Sequence, residues 1–159
     1  MPNIPVIPPE EATGELKTIY DNLLQSRGQI AEVHKIQSLR PKSILMHMDL
    51  YMEIMFSKSD LSRAQREMMA VVVSAENKCV YCFNHHGNAL NKYWKSEAKV
   101  KQLINDFSAL ELSDIDLELC RLAVKLTADP SSEECQNINR RMKKLGLSDS
   151  AFLDATLVI

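Results

Sequence analysis

The spacing of the apolar residues is the feature that most constrains the fold. Apolar side chains recur at intervals of three and four over most of the chain, and no stretch alternates cleanly between apolar and polar residues. An interval near 3.6 places side chains on one face of an α-helix, whereas a half-buried strand needs a period of two. The pattern predicts an all-α fold. With 159 residues, of which 45% are hydrophobic, one domain over residues 1–159 can bury a core of its own.

Helix start and stop signals divide this pattern into elements. The proline-rich residues 1–12 predict an extended N-terminal arm, after which Thr13 can cap a helix that runs to about Arg27. Further starts are predicted at serine caps: Ser62 with Gln65, Ser113 with Asp116, Ser131 with Glu134, and Ser148.

Pro41 can open another helix, whose apolar stripe predicts packing into the core. The stripe comprises Leu45, Met48, Met52 and Met55.

The charge balance argues against two classes of partner. A formal net charge of −2, from 19 basic and 21 acidic residues, offers no electrostatic footprint for nucleic acid or for a membrane surface. The first residues lack the basic and apolar segments of a secretory signal, and no run approaches the ~18 apolar residues of a membrane span. We therefore predict a cytoplasmic protein that acts on small molecules or on protein partners.

Two cysteines and two histidines stand close together in the stretch ENKCVYCFNHHGNAL, residues 76–90. In a reducing compartment a close cysteine pair indicates catalysis, redox exchange or metal binding rather than a disulfide framework. If a helix begins near Cys79, His86 lies one turn beyond Cys82 on the same face, where the two side chains can touch. A thiol at a helix N-terminus gains thiolate character, and a neighbouring imidazole can take up or return its proton.

A helical wheel divides this stretch into two arcs. The buried arc contains Cys79, Cys82, Phe83, His86, Leu90 and Tyr93, and the exposed arc contains Tyr81, Asn84, His85, Asn88 and Asn91.

Glu67 interrupts an almost unbroken apolar run and needs a polar partner if it is buried. If SAENK is the turn of an antiparallel helix pair, residues equidistant from its centre meet, and Glu67 and His86 are symmetric about position 76.5. We expect Glu67 to contact His86, directly or through one water, as the orienting carboxylate of a base beside a nucleophile. The alternative for Glu67 is an exposed charge at a helix edge.

Zinc binding is the strongest alternative for the cysteine pair, since Cys79, Cys82 and His86 could supply three ligands on one face. No fourth ligand is evident, because Cys120 and Cys135 stand alone and far apart, and both are expected to pack inside the protein. We therefore predict no metal. A thioredoxin-like motif needs a βαβ context, and the sequence shows no strand.

The stretch LSRAQREMMAVVVSAENKCVYCFNHHGNAL resembles the core motif of the AhpD-like alkylhydroperoxidases, within the carboxymuconolactone decarboxylase superfamily. That motif has a Glu, the first Cys of C-x-x-C twelve positions later, and a His four positions beyond the second Cys. Glu67, Cys79, Cys82 and His86 match it. The segments IYDNLLQSRGQIAEVHKI and LYMEIMF resemble the branch of peroxidase-related enzymes, so the likeness covers most of the chain.

The resemblance implies a helical fold whose core hairpin carries C-x-x-C, assembly into trimers or hexamers, and a thiol peroxidase cycle without flavin, haem or metal. It implies that Cys82 is the peroxidatic thiol, Cys79 the resolving thiol, and Glu67 with His86 the proton relay. A hydroperoxide substrate oxidises Cys82 to a sulfenic acid, Cys79 condenses with it, and a dithiol reductant restores both. The electrostatic field of the helix N-terminus acts most strongly on Cys79 and favours its thiolate form. The position of His86, four residues beyond Cys82, instead favours Cys82 as the peroxidatic thiol.

One position departs from the pattern of this family. Its best-studied type has a second relay His directly before the second Cys, where this chain has Tyr81. A tyrosine hydroxyl can donate a hydrogen bond but is a poor base at neutral pH, and His85 could substitute for the missing His. A non-catalytic redox sensor on the same scaffold is therefore the alternative to a peroxidase. Lactone decarboxylation is disfavoured, because the superfamily members with that activity do not need the cysteine pair.

Members of this family continue beyond the helix that begins at Ser148. Here the chain stops on Leu157, Val158 and Ile159, with no Gly, Asn or Pro to close the helix. We expect a single AhpD-like domain that lacks a C-terminal helical segment, and we expect these apolar residues to pack into the core or against a neighbouring subunit. Both the family likeness and this apolar end predict a homo-oligomer.

Overall fold

The computed structural model describes residues 2–159, and every regular element in that range is helical. The α-helices are α1 (Gly14–Arg27), α2 (Glu32–Lys35), α3 (Pro41–Phe56), α4 (Arg63–Glu76), α5 (Val80–Trp94), α6 (Glu97–Asn105), α7 (Asp114–Ala128), α8 (Glu133–Lys144) and α9 (Asp149–Val158). Short 3-10 turns lie at Pro9–Glu11 and Phe107–Ala109. No strand occurs within the described residues, and the prediction of an all-α fold is confirmed.

Serine caps begin several of these helices as predicted. The Ser62 hydroxyl accepts from the Gln65 N–H while the Gln65 side chain accepts from the Ser62 N–H, which completes a capping box at the start of α4. Ser113 and Ser148 cap α7 and α9.

The start predicted at Ser131 is wrong by one residue. Ser132 is the N-cap of α8, and its hydroxyl accepts from the Glu134 N–H. Ser131 donates instead to the Asp129 carboxylate in the preceding turn. Two adjacent serines offer equivalent caps, and the side-chain acceptor of Asp129 decides between them.

The chain forms two compact units, divided within α3 after Glu53. In the first unit, the Tyr20 hydroxyl donates to the Ile7 carbonyl at 3.1 Å, and the Ile7 N–H donates to Ser38 at 2.9 Å. The extended arm predicted over residues 1–12 contains the 3-10 turn, and Met1 lies outside the described residues. One domain over residues 1–159 stays a prediction. The buried core of this unit comprises Ala12, Leu16, Ile19, Tyr20, Leu23, Ile30 and Ile44.

The second unit, Ile54–Ile159, is built around α4, which packs against α5, α6, α7 and α9. Its core includes Met68, Met69, Val71, Leu90, Leu103, Leu119, Leu122, Ile138 and Met142. Val158 and Ile159 are partly buried and pack against this core as expected, whereas Leu157 is exposed. Within the described residues, no helix is both long and apolar enough to cross a membrane.

The stripe predicted for α3 coincides with its buried face only at Met48 and Met55. Leu45 and Met52 are exposed, whereas Ile44 and Met55 are buried. The buried or partly buried stripe is Ile44, Met48, Tyr51 and Met55. The helix is apolar on several sides, so spacing alone does not identify the side that packs.

Candidate redox site

The hairpin of α4 and α5 positions the predicted site residues. α4 ends at Glu76, α5 begins at Val80, and the two helices pack together. Between them Lys78 takes a left-handed φ of 54°, and the Cys79 N–H donates to the Ser74 carbonyl at 2.9 Å. The chain thus reverses within three residues, as predicted from SAENK.

Cys79 and Cys82 form a disulfide at the N-terminal turn of α5, with 5.3 Å between their Cα atoms. Cys79 is the N-cap residue, and its Sγ accepts from the Cys82 N–H at 3.3 Å. Both cysteines are partly buried. The prediction that they lie within bonding distance at a helix N-terminus is confirmed, and the structure shows the oxidised state of the pair.

Glu67 lies on the face of α4 that packs against α5 and is fully buried. Its Oε2 lies 2.7 Å from Nδ1 of His86. The predicted contact is therefore confirmed, and the alternative of an exposed Glu67 is wrong. The His86 side chain keeps 21% of its surface exposed, so the imidazole connects a buried carboxylate to the protein surface.

Arg63 completes this polar cluster and was not among the predicted site residues. Its guanidinium forms an ion pair with Oε1 of Glu67 and donates from Nη1 to the Met55 carbonyl at 2.5 Å. It also lies over the Phe56 ring, with Cζ 3.7 Å from the ring centroid. Arg63 and Glu67 are four residues apart on α4, a spacing at which helix side chains meet, so the sequence allows the contact although the spacing alone does not show that it is buried.

Arg66, on the next turn of α4, is also buried. It donates to the carbonyls of Ile54 and Ser57 at 3.0 and 3.1 Å. Burial lowers the pKa of Arg66, and the neighbouring Arg63 lowers it further. Together the two arginines satisfy backbone carbonyls at the C-terminus of α3, where cations also complement the helix dipole.

Three aromatic rings follow one another along α5. The Tyr81 and His85 rings lie nearly parallel with centroids 6.2 Å apart, and His85 meets His86 edge-on at 5.3 Å. Tyr81 and His85 are exposed, as the wheel predicted. Tyr93, predicted in the buried arc, is 52% exposed, and that prediction is wrong. The buried side of α5 centres on Gly87 and Leu90, so Tyr93 falls at its margin.

The other two cysteines lie outside the hairpin. Cys120, on α7, is buried, and burial followed by the nearby Asp116 charge raises its pKa to about 12. Cys135, on α8, is only partly buried, and its Sγ lies 3.8 Å from the Asp129 carbonyl. Interior packing is thus confirmed for Cys120 and only in part for Cys135.

The zinc alternative requires Cys79, Cys82 and His86 to face a common centre. In the structure both sulfurs are in the disulfide, and Nδ1 of His86 faces Glu67. Within residues 2–159, no group of three or more His, Cys, Asp or Glu side chains is arranged to hold a metal ion.

The model of the carboxymuconolactone decarboxylase family matches residues 45–127, just over half of the chain. The chain belongs to the carboxymuconolactone decarboxylase family. The resemblance inferred from Glu67, Cys79, Cys82 and His86 is thereby confirmed. The comparison with curated proteins found no match to this chain.

Solved structures share its fold. A peroxidase-related protein from Silicibacter sp. TM1040 is 25% identical, with a TM-score of 0.80 over 99% of this chain and 79% of that one. A peroxidase-related protein with an alkylhydroperoxidase AhpD core, from Ralstonia eutropha JMP134, is 19% identical, with a TM-score of 0.81 over 98% and 81%.

A third similar structure is a cysteine-to-alanine variant of the debrominase Bmp8 in complex with 2,3,4-tribromopyrrole. It is 14% identical, with a TM-score of 0.72 over 91% of this chain and 75% of that one. At that identity the likeness concerns the fold alone.

Proposed function

We propose that this family member is a thiol-dependent peroxidase that reduces organic hydroperoxides or hydrogen peroxide through a Cys79–Cys82 dithiol/disulfide cycle. One observation carries the proposal: a cysteine pair forms a disulfide at the helix N-terminus of the hairpin in which the buried Glu67 contacts the partly exposed His86. The similar peroxidase-related structures support it.

In the proposed cycle the Cys82 thiolate attacks one oxygen of the peroxide bond. An S–O bond forms, the O–O bond breaks, and the alcohol or water leaves with a proton that His86 can supply. Cys82 takes this role because His86 is four residues from Cys82 and seven from Cys79, so the local base favours Cys82. The electrostatic field of the helix N-terminus favours the thiolate form of Cys79, and this thiolate then attacks the sulfenic acid of Cys82.

The second step closes the disulfide. The Cys79 thiolate attacks the Cys82 sulfur, the S–S bond forms, and the S–O bond breaks. The hydroxide leaves as water with the proton that the Cys79 thiol has lost. The peroxide has then gained two electrons and the dithiol has lost two. An external dithiol returns them by thiol–disulfide exchange, so the cycle requires no flavin, haem or metal.

The proposal also includes a role for Tyr81, a cytoplasmic location and assembly into an oligomer. Tyr81 lies beside His85 on the exposed face, and a tyrosine hydroxyl serves as a hydrogen-bond donor rather than as a base at neutral pH. A cytoplasmic location fits the need for a dithiol donor. Assembly into a trimer or hexamer fits the exposed apolar residues of α3.

Single-turnover oxidation tests the proposal without knowledge of the donor. Reduced protein, freed of reductant, is mixed with a stoichiometric amount of cumene hydroperoxide or hydrogen peroxide. We expect each chain to consume one peroxide and to lose two thiols. Absence of peroxide consumption contradicts the peroxidase, and oxidation without turnover across a panel of dithiol donors favours the redox sensor.

Cysteine variants assign the roles. We expect Cys82→Ser to abolish peroxide consumption, and Cys79→Ser to leave a sulfenic acid that dimedone traps. Cys135→Ser is the matched control and should behave as wild type. If Cys79→Ser blocks sulfenic acid formation instead, the roles of the two cysteines are reversed.

A further inference from the structure

We infer that Arg63 is a positioning residue for the proton relay. It keeps Glu67 ionised and oriented toward Nδ1 of His86, which leaves Nε2 as the ring nitrogen that exchanges protons. The effect on turnover rests on the proposed function, whereas the protonation of the His86 ring does not.

The burial of Glu67 makes a charged partner necessary. Its side chain is 1% exposed, and an isolated carboxylate in such a place takes up a proton rather than remain charged. Arg63 is always cationic, and its guanidinium lies on Oε1 of Glu67. The ion pair therefore holds Glu67 as an anion inside the hairpin.

An ionised Glu67 determines which nitrogen of His86 carries the proton. A carboxylate can only accept hydrogen bonds, so at 2.7 Å from Oε2 the Nδ1 atom must be the donor. A neutral imidazole has one N–H, and Nε2 is then the unprotonated, basic nitrogen. If Glu67 were protonated, its O–H could donate to Nδ1, and the ring proton would move to Nε2. His86 would then no longer present a base.

The surroundings of Arg63 fix the direction of its guanidinium. The Phe56 ring lies under Cζ, and the Met55 carbonyl accepts from Nη1 at 2.5 Å. The remaining Nη2 reaches the carboxylate. A lysine keeps the charge but lacks the planar fork that contacts both acceptors at once. Charge and geometry can therefore be separated by substitution.

Nitrogen NMR of histidine-labelled protein tests the inference in the disulfide form. Spectra are recorded at increasing pH until the histidine signals show neutral rings, and His86 is assigned from the signal lost in His86→Gln. We expect the wild type and Arg63→Lys to show protonated Nδ1 and unprotonated Nε2. Arg63→Gln should show the proton on Nε2. A wild type with the proton on Nε2, or an unchanged pattern in Arg63→Gln, overturns the inference.

The rate of single-turnover thiol oxidation supplies the second readout. Arg63→Gln should react slower by on the order of 100-fold, the lower end of a typical general acid–base contribution, with Arg63→Lys between it and the wild type. Arg121→Gln is the matched control, because Arg121 pairs with the buried Glu118 on α7, and it should change neither readout. Thermal melting verifies that each variant is folded.

The two readouts separate failure of this inference from failure of the proposed function. A wild type that consumes no peroxide contradicts the peroxidase and leaves the NMR test intact. Normal peroxide consumption by Arg63→Gln, with unchanged histidine signals, contradicts only the role of Arg63. If Arg63→Gln does not fold, Arg63→Met replaces it, since its unbranched chain retains the packing of the arginine stem. The wild-type spectrum can overturn the inference without any Arg63 variant.

Discussion

The four cysteines differ in the surroundings of their sulfur atoms, and this difference predicts how each reacts. Cys79 and Cys82 share a disulfide, Cys120 is buried, and Cys135 is partly exposed. Because burial raises the pKa of Cys120 to about 12, its thiol stays protonated at neutral and mildly alkaline pH, and a protonated thiol is a poor nucleophile. We expect Ellman's reagent to detect one thiol per chain in the native disulfide form, three after reduction, and four in denaturant after reduction.

Cys135→Ser provides the control for this titration. The variant should show no reactive thiol in the native disulfide form and two after reduction. Two rapidly reacting thiols in the oxidised wild type would mean that reagent reaches Cys120, which would contradict the burial of its side chain on α7.

The site shows which residue pairs a sequence can reveal. Glu67 and His86 are far apart in the chain, but their symmetry about a short turn was sufficient to predict the contact, since the reversal needs only three residues. Arg63 was missed although it is four residues from Glu67. An exposed i,i+4 charge pair has the same spacing, and only the burial of Glu67 distinguishes the two.

The helix ends of α1 and α5 use the same left-handed backbone with different residues. The C-cap residue of α1 is Gly28, at a φ of 75°, and that of α5 is Lys95, at a φ of 50°. A side chain in this conformation costs about 1–2 kcal/mol, while the freedom that glycine adds to the unfolded chain costs ~0.4–1 kcal/mol. We therefore expect Lys95→Gly to raise the free energy of unfolding by about 0.5 kcal/mol, measured by urea denaturation.

Gly28→Ala is the reciprocal control. A Cβ at Gly28 meets nothing within 4 Å, so the substitution isolates the backbone effect. It should lower the free energy of unfolding by roughly 1 kcal/mol. A lower urea midpoint for Lys95→Gly would show that the lysine charge at the end of α5 outweighs the backbone strain.

Helices were easier to predict than the faces they bury. Caps and prolines mark the starts of α3, α4, α7 and α9, because local backbone chemistry determines them. The buried face of α3 was misjudged, since Ile44 and Leu45 are adjacent, equally apolar residues and only tertiary packing selects Ile44. Tyr93 shows the same limit, because the helical wheel of α5 placed it in the buried arc and the structure leaves it exposed.

At the scale of the whole molecule, α3 leaves a large apolar surface exposed. Its exposed apolar side chains are Leu45, Met46, Leu50, Met52 and Phe56. Single exposed apolar residues are ordinary on soluble proteins, but a helix that is apolar on several sides is usually covered. This surface is the physical basis for the proposed homo-oligomer, and it is independent of how the chain ends.

Charged substitutions on α3 test that assembly. Met46 and Leu50 are 62% and 59% exposed and lie one turn apart, so Met46→Lys with Leu50→Lys places two charges on one face without disturbing a buried side chain. We expect light scattering at micromolar concentration to show an oligomer for the wild type and a smaller species for the double variant, because buried unpaired charges oppose association. Leu145→Lys, a substitution of an exposed apolar residue at the end of α8, is the control and should leave the mass unchanged.

A monomeric wild type contradicts the proposed assembly, and an unchanged mass in the double variant excludes this face of α3 as the interface. The thiol oxidation rate of the double variant then tests whether the redox site works within one chain. We expect that it does, because the contacts described for Arg63, Glu67 and His86 join α3, α4 and α5 of the same chain.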